Sequence, residues 1–179
     1  MLDKGQTVLV VVDVQGKLAQ LMHCRDDLFR NLQTLVSGIQ LLGIPIILVE
    51  QTPEKLGSTI DEIRILLSGI EPIAKKSFSC AGEPEFISRL EQLAPKDIIV
   101  AGIETHVCVY QTAADLIALG FGVHVVADAV SSRSELNKEI GLKRILADGG
   151  NATSTEMLLF ELQRSAEGDT FRELIRLVK

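Results

Sequence analysis

Four short runs in which nearly every residue is apolar constrain this chain most: Thr7–Val12, Ile44–Val49, Asp97–Gly102 and Gly122–Ala127. A strand that is apolar on both faces is stable only where both faces are covered, as in a parallel sheet held between helix layers. The intervals supply the helices. Leu28, Leu32, Leu35, Val36, Ile39 and Leu42 form one helical stripe that Gly43 ends. Thr59-x-x-Glu62 has the form of a capping box ahead of Ile60, Ile63, Leu66 and Leu67. Pro84 opens a helix carrying Ile87, Leu90 and Leu93, and Pro95 stops it. Helices are also expected from Thr105 to Leu119, ended by Gly120, and from Glu135 to Ala147, ended by Gly149-Gly150. Thr153-x-x-Glu156 reads as a further cap, and Phe171, Leu174, Ile175 and Val178 as a last apolar stripe.

Strands that alternate with helices make repeated β-α-β units and predict a three-layer α/β/α architecture around one doubly wound, mainly parallel sheet. Two shorter strands, Ile73–Lys75 and Asn151–Ser154, bring the sheet to about six. No repeat, low-complexity stretch or linker divides residues 1–179, so a single domain is expected.

The formal charge is −6, and basic residues never cluster beyond pairs. This argues against a nucleic-acid groove or an anionic membrane surface, both of which require basic patches. The apolar runs fall well short of the roughly 20 residues of a membrane span. The amino terminus has none of the features of a secretory leader. Three cysteines without a C-x-x-C pair suit a reducing compartment, so a cytoplasmic protein acting on a small molecule is expected.

In sheets of this kind ligands gather beyond the carboxyl ends of the strands. Cys108 lies there, in IIVAGIETHVCVYQTAADL, a strand, a tight turn and a helix. With Thr105 as N-cap, Cys108 falls in the first helical turn. Free amides and the helix dipole would there lower the thiol pKa from its usual value near 8.5 and could hold an oxyanion. The plain alternative is a small core residue. Asp13 ends VLVVVD and could act as a general base, or simply accept backbone amides in a turn. Gln15 could orient such a site. Lys75 or Lys76 could supply a cation; the residues alone do not separate them.

Together VVDVQ (11–15), AKKSFS (74–79) and GIETHVCVYQTAADL (102–116) resemble the isochorismatase-like cysteine hydrolases, most closely the short isochorismatase-domain-containing proteins. Supporting matches run through EQTPEKLG, VHVVADAVSSR and the carboxyl-terminal STEMLLFELQ. The resemblance implies a catalytic triad of Asp13, Lys75 and Cys108, with Lys75 chosen by a K-x-x-F-S spacing. It implies a non-proline cis peptide at Ile103–Glu104 that helps aim backbone amides at an oxyanion, and a thioester intermediate in amidase members. Self-association as a homo-oligomer is implied too.

Gln15, Gln51, Phe78, Thr105 and His106 are candidate pocket residues. Family nicotinamidases bind a metal through an Asp/His cluster after the second strand. VEQTPEKLG has no histidine there, so neither a metal nor another cofactor is expected. Asp128 and Arg133 could pair to fix a loop. Cys24 and Cys80 read as ordinary thiols.

The leading expectation is therefore a hydrolase of small amides or esters. Isochorismate-type vinyl-ether hydrolysis, or a non-catalytic binding protein on the same fold, are the alternatives. Aspartyl phosphoryl transfer is disfavoured because Gln15 stands where a second Asp is needed. Dinucleotide binding is disfavoured by the lack of G-x-G-x-x-G.

Overall fold

The computed structural model describes residues Met1–Lys179. Its strands are β1 (Thr7–Val12), β2 (Ile46–Gln51), β3 (Ile73–Lys75), β4 (Asp97–Ile103), β5 (Gly122–Ser131) and β6 (Asn151–Thr153). All pair in parallel, in the order β3-β2-β1-β4-β5-β6. The helices are α1 (Gly16–Gln20), α2 (Arg25–Leu41), α3 (Pro53–Leu56), α4 (Asp61–Arg64), α5 (Pro84–Leu93), α6 (Tyr110–Ala118), α7 (Glu135–Ala147), α8 (Thr155–Gln163) and α9 (Gly168–Val178).

Side chains alternate along each strand, so the apolar runs feed two cores. Leu9, Val11, Leu48, Ile99 and Ala101 pack with residues of α2, α4, α8 and α9 on one face. Val8, Val10, Val12, Ile47, Ile98 and Val100 pack with α5, α6 and α7 on the other. The three-layer α/β expectation holds, and the sheet is parallel throughout.

Local departures have local causes. β2 starts at Ile46 rather than Ile44, because the Ile44 amide donates to Ile39 O (3.1 Å) and closes the end of α2. β5 runs on to Ser131 through a register shift opposite Val100–Gly102, which the simple apolar pattern does not reveal. Thr59 does not cap α4. Its amide and hydroxyl both donate to the buried Glu50 carboxylate (2.7 Å each), and Ile60 takes the cap position. Ser154, not Thr153, caps α8 by accepting from Met157 N.

The strand order reverses direction at β1, with β2 on one side and β4 on the other. Ligands of doubly wound sheets lie at such a switch point. Gly102 makes the approach possible: it pairs with Val12 at φ +119°, and a side chain there would fall on the Val12 carbonyl.

Candidate active site

Four strand ends meet at the switch point. Asp13 leaves β1 in the left-handed conformation (φ 53°), a region aspartate tolerates better than most residues, with its amide donating to Val49 O at 3.1 Å. Its carboxylate lies under the sheet edge, 2.7 Å from Lys75 at the end of β3 (Oδ2 to Nζ). Both side chains are sealed from solvent, at 2% and 0% exposure.

The Lys75 ammonium is fully occupied by the protein. It donates to Asp13 Oδ2 (2.7 Å), Gln51 Oε1 (2.6 Å), Phe78 O (3.0 Å) and Ser77 O (3.2 Å). Four acceptors share three protons, so this cation serves Asp13 rather than reaching outward. Lys76, its neighbour, is exposed.

Cys108 enters from the turn after β4. The Ile103–Glu104 peptide bond is cis, and residues Thr105–Val109 then wind as a π-helical turn before α6 begins. Thr105 is therefore not the N-cap. Glu104 holds that position without a side-chain cap, and the Thr105 hydroxyl is buried with no hydrogen-bond partner. Cys108 is buried among Val109, Ala113 and their neighbours.

The thiol's acidity differs from the sequence expectation. Burial pushes the Cys108 pKa up to about 12, the Asp13 carboxylate pushes in the same direction, and Lys75 only partly opposes them. Burial also raises Asp13 against the pull of Lys75. Desolvation and a neighbouring carboxylate here outweigh the half-charge of a helix start. The Asp13 carboxylate and the Cys108 thiol shift each other's acidity through charge and side-chain hydrogen bonding, and Asp13 Oδ1 is buried without a close partner. The site thus couples a thiol to a carboxylate that has one oxygen bound to Lys75 and the other without a partner.

The remaining candidates divide. Gln51 binds Lys75 directly. Gln15 is wholly buried and does not wall a pocket. Its Oε1 accepts from Gln51 N (2.7 Å), and its Nε2 donates to Gln51 O (3.1 Å) and Gly57 O (2.6 Å). Phe78 turns its ring outward at 55% exposure while its carbonyl receives Lys75. His106 Nδ1 pairs with Ser132 Oγ at 3.0 Å and so turns toward the β5 end.

Arg133 does not pair with Asp128. Its amide (3.0 Å) and Nε (3.1 Å) both donate to Glu104 Oε2, fixing the residue next to the cis bond. Asp128 instead accepts from Thr155 N and Oγ1 at the start of α8.

Three further residues contribute to the site in ways the sequence pattern does not announce. The carbonyls of Ser77 and Phe78 carry no side-chain signal that could have revealed them. Cys80, which reads as an ordinary thiol in the sequence, is fully buried and an electrostatic neighbour of Cys108; its position five residues after Lys75 is the one sequence signal of this.

The chain is similar to known proteins along nearly its whole length. The Isochorismatase domain model matches residues 7–157. The chain is 36% identical to the secreted isochorismatase effector Isc1 of Phytophthora sojae over 97% of its own length and 84% of that protein's. It is 34% identical to isochorismatase domain-containing protein 1 of Danio rerio over 99% of its own length, but spans only 62% of that longer relative. Among solved structures, the MAR1 ribonuclease of Caenorhabditis elegans superposes with a TM-score of 0.90 at 32% identity, covering 99% of this chain and 91% of the other.

Proposed function

The chain belongs to the isochorismatase domain family, and from that premise we propose that it is a cysteine hydrolase of small amides, with Cys108 as nucleophile, Asp13 as proton shuttle and Lys75 as the fixed counter-ion of Asp13. The observation that carries the reading is the buried Asp13 carboxylate, which interacts electrostatically with Cys108, is held by Lys75 through Oδ2 and has its Oδ1 free of any hydrogen-bond partner.

The steps follow from that pairing. As the sulfur bonds to the substrate carbonyl carbon, its proton passes to Asp13 Oδ1. The carbonyl oxygen takes the negative charge, and backbone amides of the Thr105–Val109 turn are the donors available to it. The tetrahedral centre collapses with breakage of the C–N bond, and Asp13 returns the proton to the leaving amine. Water then adds to the thioester while Asp13 takes one of its protons. Breakage of the C–S bond releases the acid, and the proton goes back to sulfur. Because the resting group is a thiol, transfer to Asp13 accompanies attack rather than preceding it.

Lys75 keeps one carboxylate oxygen engaged and leaves the other for this traffic. The Caenorhabditis elegans relative is named a ribonuclease; a formal charge of −6 and a sealed carboxylate–ammonium pair favour a small substrate for this chain. The proposal includes self-association, which light scattering of the purified chain reads directly, a strict monomer removing that part.

The test is ammonia release from a panel of small amides by the wild-type chain and by Cys108→Ala. Turnover should fall by at least about a thousandfold in the variant, with an unchanged circular dichroism spectrum. Equal turnover by Cys108→Ala overturns the mechanism. Turnover of vinyl ethers or RNA, but of no amide, would replace the substrate class.

A further inference from the structure

We propose that Gln51 is a positioning residue: its side-chain amide fixes the Lys75 ammonium and tempers its charge, and so sets how tightly the proton is held between Asp13 and Cys108. The inference rests on the cysteine-hydrolase reading above for its catalytic meaning, though not for its test.

Of the four acceptors around Lys75 Nζ, two are carbonyls fixed by the loop after β3 and one is the reacting carboxylate. The fourth, Gln51 Oε1, is the nearest at 2.6 Å and the only one supplied by a side chain with no proton to exchange. The orientation of the amide is fixed independently. Its Nε2 donates to Lys76 O at 3.0 Å and more weakly to Lys75 O at 3.4 Å, which turns the oxygen toward the ammonium. Reversing the amide would set donor against donor at the ammonium and acceptor against acceptor at the Lys75 and Lys76 carbonyls.

The backbone beneath is also held. Gln15 grips the amide and the carbonyl of Gln51 and, through Gly57 O, the loop beyond β2. The two glutamines thus complete a circuit that starts after β1, passes through the ends of β2 and β3, and returns to Asp13 through Lys75. DVQ at 13–15 and EQ at 50–51 are its sequence trace.

The ionisable groups facing this point are Asp13 after β1, Lys75 on β3, Cys80 in the loop beyond it and Cys108 after β4. An amide oxygen at 2.6 Å offsets part of the ammonium's field. A carboxylate in its place offsets more and disfavours the thiolate; an apolar side chain offsets nothing and favours it.

The experiment is the iodoacetamide alkylation rate of Cys108 between about pH 6 and 10, resolved by mass spectrometry, for the wild type, Gln51→Glu and Gln51→Met, with exposed Cys24 as reference in every sample. Well below its pKa a thiol reacts in proportion to its thiolate fraction, so a one-unit displacement changes the rate tenfold. Gln51→Glu should react about tenfold more slowly than wild type at a given pH, and Gln51→Met several-fold faster, with Cys24 unchanged. Loosening of the site alone would raise the rate in both variants, because both would open access to sulfur.

Shifts in the same direction, or rates within about twofold of wild type for both, overturn the proposal. If Gln51→Met does not fold, the isosteric Gln51→Glu decides, and any result other than slowing counts against it. Amide turnover lost with Cys108 reports on the hydrolase reading separately, so the two can fail independently.

Discussion

Replacing Lys75 with methionine isolates the largest electrostatic commitment in the molecule. The Nζ–Oδ2 distance of 2.7 Å corresponds to an attraction of about 6 kcal/mol at an effective dielectric near 20. Part of this offsets the desolvation of both groups. Removing one partner of a buried pair costs roughly 3–5 kcal/mol, because the other charge stays behind. Here the survivor is the Asp13 carboxylate, which can escape only by taking up a proton.

The sign of the pH dependence follows. The folded-state pKa of Asp13 lies above its ordinary value of 3.8, burial prevailing over Lys75, so the folded chain holds that proton more tightly than the unfolded chain. The associated stability is fully present below 3.8 and is lost as pH rises through the folded value. Without Lys75 to lower it, the folded value climbs further and the loss continues to higher pH.

One group can contribute at most about 1.36 kcal/mol per pH unit, or about 4 kcal/mol between pH 4.5 and 7.5. Lys75→Met should therefore be destabilised by about 4 kcal/mol at pH 7.5 and by no more than about 1 kcal/mol at pH 4.5. Urea unfolding followed by far-ultraviolet circular dichroism is the assay, the chain having no tryptophan. The double variant Asp13→Asn with Lys75→Met should recover most of the neutral-pH loss. A deficit that is the same at both pH values would show that Asp13 is not the charge left uncompensated and would refute the argument.

Two further substitutions probe the neighbouring structure. Gly102→Ala combines φ +119° with a methyl directed onto the Val12 carbonyl; a loss of at least about 3 kcal/mol, or failure to fold, is expected in thermal unfolding, and near-neutral stability would contradict the close approach of β1 and β4. Thr105→Val removes a buried hydroxyl that has no partner, so stability should be unchanged or up to about 1 kcal/mol higher, whereas a loss beyond about 1 kcal/mol would reveal a bonded partner for that oxygen.

How far the sequence reveals this molecule depends on what kind of signal each residue emits. β1 and β3 have their expected bounds, since TVLVVV and IAK end at residues that cannot continue an apolar run. Asp13 and Cys108 come after strands and Lys75 ends one, and the parallel order alone brings those ends together. What resisted reading depended on partners remote in sequence. Thr59 has the form of a cap, but Glu50 claims it once β2 is laid down. Arg133 and Asp128 are sequence neighbours of opposite charge, yet each finds a nearer partner across the sheet edge. The acidity of Cys108 departs from its sequence pattern for the same reason: a helix start is visible in sequence, whereas the depth of burial and a carboxylate 95 positions away are not.

The edge of the sheet takes on a second meaning from Lys75. β3 is one of the two edge strands and has only three residues, which pair with Val49–Gln51 and leave the first half of β2 without a strand on that side. Short, charge-bearing edges protect a sheet from adding strands of other molecules. In this chain the guarding charge points inward, and its bonds to Asp13 and Gln51 fasten β3 to the two strands behind it. Should that fastening fail, the strand would peel away and expose more of the apolar rim of β2, so the ammonium bound to Asp13 also holds the margin of the sheet closed.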